Sequence, residues 1–282
     1  MAEIFYGKPV AEKIRLEMIQ QAAAYWEKGI IPCVTIVRVG ENPDDKAYEN
    51  RVFRNCEQIG IEGRSLELPL TVRQEEFLEV VEKLNGDDSV HGVLILRPLP
   101  AHLDADAIGR ALAREKDIDC MNPANLEKIF VGQKDAIPPC TPEAVIEILK
   151  YYAGDLTGKH AVIVNRSLVL GKPLAMLLLQ ENATVTICHS KTKNLPQLAS
   201  SADIFIAAAG RAKLFGEEYV SEKSFVVDVG INFIDGKMCG DMDFDAAAEK
   251  AAGITPVPGG VGPVTSMLLL RHVLFGMQLN GK

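Results

Sequence analysis

No two of the six cysteines stand in a CxxC pair, and the five histidines show neither HxxxH nor HExxH spacing. Those absences exclude the common zinc frameworks, so no metal is expected. The N-terminus lacks a basic segment leading into an apolar one, so no secretory signal is expected. Cysteines in such a chain are expected as free thiols in a reducing cytoplasm. No apolar run approaches the length of a membrane span, and no membrane partner is expected. Positive charge is in the minority, with 30 Lys and Arg against 38 Asp and Glu, which argues against a nucleic-acid partner. A GxGxxG fingerprint is also missing.

What is present is a chain of 282 residues, 48% of them hydrophobic, enough for about two domains with full cores. Val10, Ile14, Met18, Ala22 and Tyr25 recur at helical spacing, with Gly29 as a stop. Strand-like and helical segments then alternate: a strand over 31–39, a helix over 44–59, a strand over 64–68, a helix over 74–84, a strand over 92–96 and a helix over 104–113. Such alternation predicts a parallel sheet covered on both faces. Ligands of such sheets sit off the carboxyl ends of the strands, which brings 40–48, 97–100 and 116–119 toward one site. Thr141 is expected to cap a helix with Pro142 in its first position. The expected domains are 1–145 and 146–263, with a last helix over 264–282 packing back on the first.

The second half is organised by His160 to Gly171. Ala161 to Val164 reads as a strand, Asn165-Arg166-Ser167 as a turn, and the run from Gly171 onward as a buried helix. Strand, turn and helix together open a nucleotide-binding βαβ unit, with N–H groups aimed at a phosphate. Taken alone, the segment reads equally as an ordinary βα turn. The next strand, 184–189, ends on His189-Ser190-Lys191-Thr192, without the acid that a NAD-binding strand carries for the ribose. Arg166 can approach the same place, so the chemistry suits a 2′-phosphate and favours NADP. Two further strands end near Gly210 and Gly230, where glycine allows close backbone approach to a ligand. The loop 255–263 is dense in Gly and Pro and reads as shaping a site.

Several segments resemble the methylenetetrahydrofolate dehydrogenase/cyclohydrolase (FolD) family. They are Cys140-Thr141-Pro142, Arg166-Ser167, Gly171-Lys172-Pro173, His189 to Thr192, Asp228 to Asn232, Gly240 to Phe244 and the loop from Thr255 to Pro263. The resemblance covers nearly the whole chain. It implies two α/β domains with a cleft between them, the second Rossmann-like and NADP-binding. It also implies a folate substrate, 5,10-methylenetetrahydrofolate, and a homodimer. By the same resemblance Tyr48 stacks on the folate and Asp119 binds the pterin, with Gly262 and Pro263 as further substrate contacts. Arg166, Ser167, Gly171, Pro173, Ser190, Gly210 and Ile231 become the cofactor contacts. Without it, Tyr48 reads as part of the apolar stripe of Val52, Cys56 and Ile59, and Asp119 as a loop carboxylate.

Four positions depart from the family pattern. Its catalytic lysine position is Val52, and its glutamine position is Leu96. The glycine of its KDxDG motif is Cys120, and Asn165 stands where the family usually has glycine. Val52 and Leu96 cannot move protons, so the expectation is a dehydrogenase with weak or absent cyclohydrolase activity. The alternatives are a bifunctional enzyme in which Arg51 or Arg97 stands in for the lysine, and a non-catalytic folate- or nucleotide-binding paralogue.

Overall fold

The computed structural model describes residues 1–281, which divide into two compact units. One comprises Met1–Glu12 and Pro139–Thr265; the other comprises Lys13–Pro138 and the segment from Ser266 onward. The chain opens with β1 (Glu3–Ile4) and α1 (Gly7–Trp26). It continues through β2 (Cys33–Val39), α2 (Pro43–Ile59), β3 (Glu62–Leu68), α3 (Gln74–Gly86) and β4 (Gly92–Ile95). Two short helices follow, α4 (Ala105–Ala111) and α5 (Pro123–Phe130).

β2, β3 and β4 form a parallel sheet in the order β3-β2-β4, with Val37 in register with Leu66 on one side and Ile95 on the other. The central strand is buried along almost its whole length, so its sequence is a continuous run rich in β-branched residues. Under one face lies a core of Val37, Phe77, Val81, Val93, Ile95 and Ile108. α2 is delimited by local chemistry. The Asn42 side chain accepts from the Asp44 N–H, Pro43 opens the first turn, and Gly60 ends the helix in the left-handed region at φ 90°. That start places Tyr48 in the second turn after β2. α5 has no counterpart in the sequence reading, because its eight residues are too few to set up a helical period.

The other unit contains α6 (Cys140–Tyr152), β5 (His160–Val164), α7 (Gly171–Gln180), β6 (Thr184–Cys188), α8 (Leu195–Ser200), β7 (Ile204–Ala207) and β8 (Phe225–Asp228). A hairpin of β9 (Asn232–Ile234) and β10 (Lys237–Cys239) leads to α9 (Phe244–Lys250), β11 (Gly253–Ile254) and α10 (Val261–Leu279). Six strands make a parallel sheet in the order β1-β11-β8-β7-β5-β6. The first twelve residues therefore group with this sheet: Ile4 pairs with Ile254 across β1 and β11. Strand order reverses at β5, which lies between β6 and β7, so the crevice for a ligand lies off the carboxyl ends of β5 and β7. The expected cap at Thr141 is not formed. α6 starts one residue earlier, on Cys140 after Pro139, without a side-chain cap.

Candidate active site

In the unit built on β3-β2-β4, Tyr48 and Val52 lie on α2, and Leu96 and Arg97 follow β4. Tyr48 is half-buried, while Val52 is 5% exposed and belongs to the inner face with Glu49, Cys56 and Ile59. The exposed Arg51 lies over the Tyr48 ring, with Cζ 6.0 Å from its centroid. The Leu96 N–H donates to the Val37 carbonyl, which fixes the start of the loop after β4. Arg97 Nη2 then donates to Asp119 Oδ2, so these two residues are brought together.

The segment around Asp119 divides its polar groups between structure and solvent. Lys116 is buried and donates from Nζ to the carbonyls of Leu84, Asn85 and Asp87, each at 2.8 Å. Asp117 is buried and accepts the N–H groups of Met121 and Asn122; burial pushes its carboxyl up from the usual range. A parallel bridge between Val93 and Asp117 sets the segment beside β4, and the His272 ring bonds the Ile118 carbonyl at 2.8 Å. Asp119 alone presents a partly exposed carboxylate, with a side-chain exposure of 30%. Cys120 holds the backbone at φ 55°, in the left-handed region, at the position where glycine would carry no strain.

In the six-stranded unit, the turn after β5 is wound around Asn165. Its Oδ1 accepts from the Ser167 N–H at 2.8 Å, the Ser167 hydroxyl at 2.7 Å and the Gly171 N–H at 3.1 Å. Its Nδ2 donates to the Ala208 carbonyl at 2.9 Å, spanning the point where strand order reverses. Asn165 thus serves through its amide; it is not among the residues with positive φ, so tolerance of an unusual backbone is not its role. A Cβ on Gly171 would lie 2.0 Å from the Asn165 carbonyl oxygen, which is why glycine opens α7. Pro173 is buried in the first turn of that helix.

Arg166 is exposed at the tip of the turn, and Ser167 is half-buried. Ser190 is exposed in the turn after β6, whose ends are held by the His189 N–H donating to Thr192 Oγ1 at 2.9 Å. Gly210 is exposed with φ 65°, and Ile231 is 65% exposed after β8. These positions stand at the carboxyl ends of β5, β6, β7 and β8, the edge at which dinucleotides bind such sheets. Gly230 has a different reason from the one expected. It is buried, and a Cβ there would meet the Asp241 carboxylate carbon at 2.3 Å, so the glycine makes room for a carboxylate rather than a ligand. Gly262 is exposed and Pro263 half-buried in the first turn of α10. Asp228 and Asp241 were not singled out individually in the sequence; the signal was a pair of aspartates flanked by glycines in segments that resemble family motifs.

Residues 5–119 match the family model of the tetrahydrofolate dehydrogenase/cyclohydrolase catalytic domain, and residues 139–280 match that of its NAD(P)-binding domain. The chain is 50% identical to "Bifunctional protein FolD 1" of Desulfitobacterium hafniense (strain Y51), over 97% of this chain and 98% of that protein. A crystal structure of the bifunctional enzyme FolD from Campylobacter jejuni, methylenetetrahydrofolate dehydrogenase/cyclohydrolase, superposes with a TM-score of 0.95 at 39% identity, covering 99% of this chain and 100% of that one. The Trypanosoma brucei FolD, in a complex with NADP cofactor and inhibitor, superposes with a TM-score of 0.90 at 33% identity, covering 100% of this chain and 99% of that one.

Proposed function

The chain belongs to the tetrahydrofolate dehydrogenase/cyclohydrolase family, and from that premise we propose that it oxidises 5,10-methylenetetrahydrofolate with NADP and hydrolyses the methenyl product. The observation that carries the cofactor choice is the end of β6. No acid stands there to bind a ribose 2′-hydroxyl, while the hydroxyl of Ser190 and the guanidinium of Arg166 are both exposed at the same sheet edge. A 2′-phosphate is the group those side chains suit.

NADP, when bound, supplies the acceptor for a hydride from the methylene carbon. The chain contributes orientation more than proton transfer to that step. Tyr48 offers a ring for stacking on the folate. Asp119 offers acceptors to the paired N–H donors of the aminopyrimidine. Gly262 and Pro263 contribute contacts at the start of α10. Ser167, Gly171, Pro173, Gly210 and Ile231 line the cofactor edge beside Arg166 and Ser190. The family's homodimer is part of the proposal, and light scattering tests it.

The names of relatives at 50% identity support the two-activity reading over the dehydrogenase-only expectation. A specific observation still favours the narrower reading: Val52 is buried and carries no ionisable group, and Leu96 carries no amide. Arg51 and Arg97 stay protonated, so either can stabilise charge but not serve as a base. One assay decides. Methylenetetrahydrofolate and NADP are mixed with the protein, and NADPH formation and methenyl hydrolysis are followed separately. Hydrolysis well above the spontaneous rate supports both activities; NADPH formation with hydrolysis at the spontaneous rate supports the dehydrogenase alone. Neither reaction would leave a non-catalytic binding protein.

A further inference from the structure

Two carboxylates lie inside the six-stranded unit where a charge is costly. Asp241 is fully buried and Asp228 is 3% exposed. Asp241 is surrounded by donors: Oδ2 accepts the N–H groups of Ala209 and of Gly210, the latter at 2.8 Å, and Oδ1 accepts the Arg211 N–H and the Asn232 amide, both at 2.8 Å. Asp228 accepts the N–H groups of Gly230 at 2.9 Å, Asp241 at 3.0 Å and Met242 at 2.8 Å, and its own N–H donates to Thr255 Oγ1. The glycines beside them exist for this arrangement. A Cβ on Gly240 would fall 1.9 Å from Asp228 Oδ2, just as one on Gly230 would meet Asp241.

Successive N–H groups curved toward one point form the kind of nest that binds anions. Here the nest at 209–211 is filled from within, so those N–H groups are not donors for a cofactor phosphate. Their bonds to Asp241 fix the backbone of the loop instead. The same carboxylate holds Asn232, the neighbour of Ile231. Gly210 and Ile231, carried by loops after two different strands, are therefore tied to one side chain. The Asn165 bond to the Ala208 carbonyl extends the chain of contacts to the turn that bears Arg166 and Ser167.

We propose that Asp241 is a positioning residue for the dinucleotide: it sets the placement of the loops at Gly210 and Ile231 without touching the cofactor itself. The inference rests on Gly210 and Ile231 as cofactor contacts, as given under the proposed function.

The test is calorimetric titration of the full chain with NADP and, separately, with tetrahydrofolate, at a temperature where circular dichroism finds each variant folded. Asn232→Ala removes one strut and leaves Asp241 in place; Asp241→Asn turns an acceptor into a donor facing N–H groups. Coupling through such a network is expected to raise the NADP Kd about three- to tenfold in Asn232→Ala. A rise of at least about tenfold is expected in Asp241→Asn, where the carboxylate itself is lost. Tetrahydrofolate affinity should be unchanged in both. A merely structural role would leave the NADP Kd of a folded variant at the unmutated value, and that result in Asn232→Ala overturns the proposal even if Asp241→Asn fails to fold. Absence of NADP binding by the unmutated protein overturns the cofactor reading together with it.

Discussion

Arg97 donates from Nη2 to Oδ2 of Asp119 at 2.5 Å, one residue after the leucine that replaces the family's glutamine. A carboxylate has about four lone-pair sites, so this bond leaves acceptors for a ligand. Asp119→Ala is expected to abolish folate binding and to leave the NADP Kd unchanged, since the two sets of residues lie in different units. Calorimetry with each ligand checks it. Equal folate affinity in the variant returns Asp119 to a loop carboxylate.

The second expectation concerns the cofactor. Arg166 is exposed at the turn tip, where it meets a 2′-phosphate rather than supporting the fold. Arg166→Ala is expected to remove about 1.5–3 kcal/mol of NADP binding, the size of a charge-assisted hydrogen bond. NAD binding should change little. Comparison of the two dissociation constants before and after mutation reads this directly, and a preference for NADP that survives the mutation would exclude Arg166 as its source.

Much of the fold was legible in the sequence, because long periodic segments carry their own signal. The helix from Val10 to Tyr25, the buried strand ending at Val39 and the strand-turn-helix at His160 all appear close to where periodicity puts them. What escaped was short or non-local. β1 and β11 have two residues each, and their pairing follows from contacts between the two ends of the chain. Asn165 was read through its backbone, yet its side-chain amide proved to organise the turn. Hydrogen-bond partners of that kind depend on which strands become neighbours, and a single sequence does not order the strands. Leu96 and Val52 were legible as departures, but the Arg97 bond to Asp119 required the structure.

The pH dependence of stability follows from Asp228. Burial pushes its carboxyl up from 3.8 to about 6, so the folded chain holds the proton more tightly than the unfolded one between those values. The contribution is fully present below 3.8 and is lost as pH rises through about 6. Stability of the unmutated protein relative to Asp228→Asn should therefore rise as pH falls from 7 toward 5, by roughly 1–2 kcal/mol. Urea unfolding of both proteins across that range provides the measurement. A difference independent of pH would mean that Asp228 titrates alike in both states.

Cys120 gives a backbone prediction. Its φ of 55° puts a Cβ where L-residues are strained. Alanine keeps the strain and removes the thiol, whereas glycine removes both. Cys120→Gly is expected to be more stable than Cys120→Ala by about 1 kcal/mol, once the flexibility glycine adds to the unfolded chain is counted. Thermal melting of the pair decides, and a less stable glycine variant would show that the left-handed turn costs nothing here.

The pairing of Glu3 with Gly253 bears on how the chain assembles during synthesis. β1 leaves the ribosome with its partner strand still untranslated, and the six-stranded sheet gains its edge only after Ile254 has been made. The other unit waits as well, because the segment from Ser266 onward packs into it, with a Cβ on Gly276 just 2.0 Å from the Glu115 carbonyl oxygen. Neither unit can close from its own first stretch of chain, so completion of both is deferred to the last part of translation. Contacts of such long sequence separation slow folding and prolong the exposure of unpaired strands. A growing chain of this protein is therefore a natural client for chaperones that hold apolar segments until the final helix emerges.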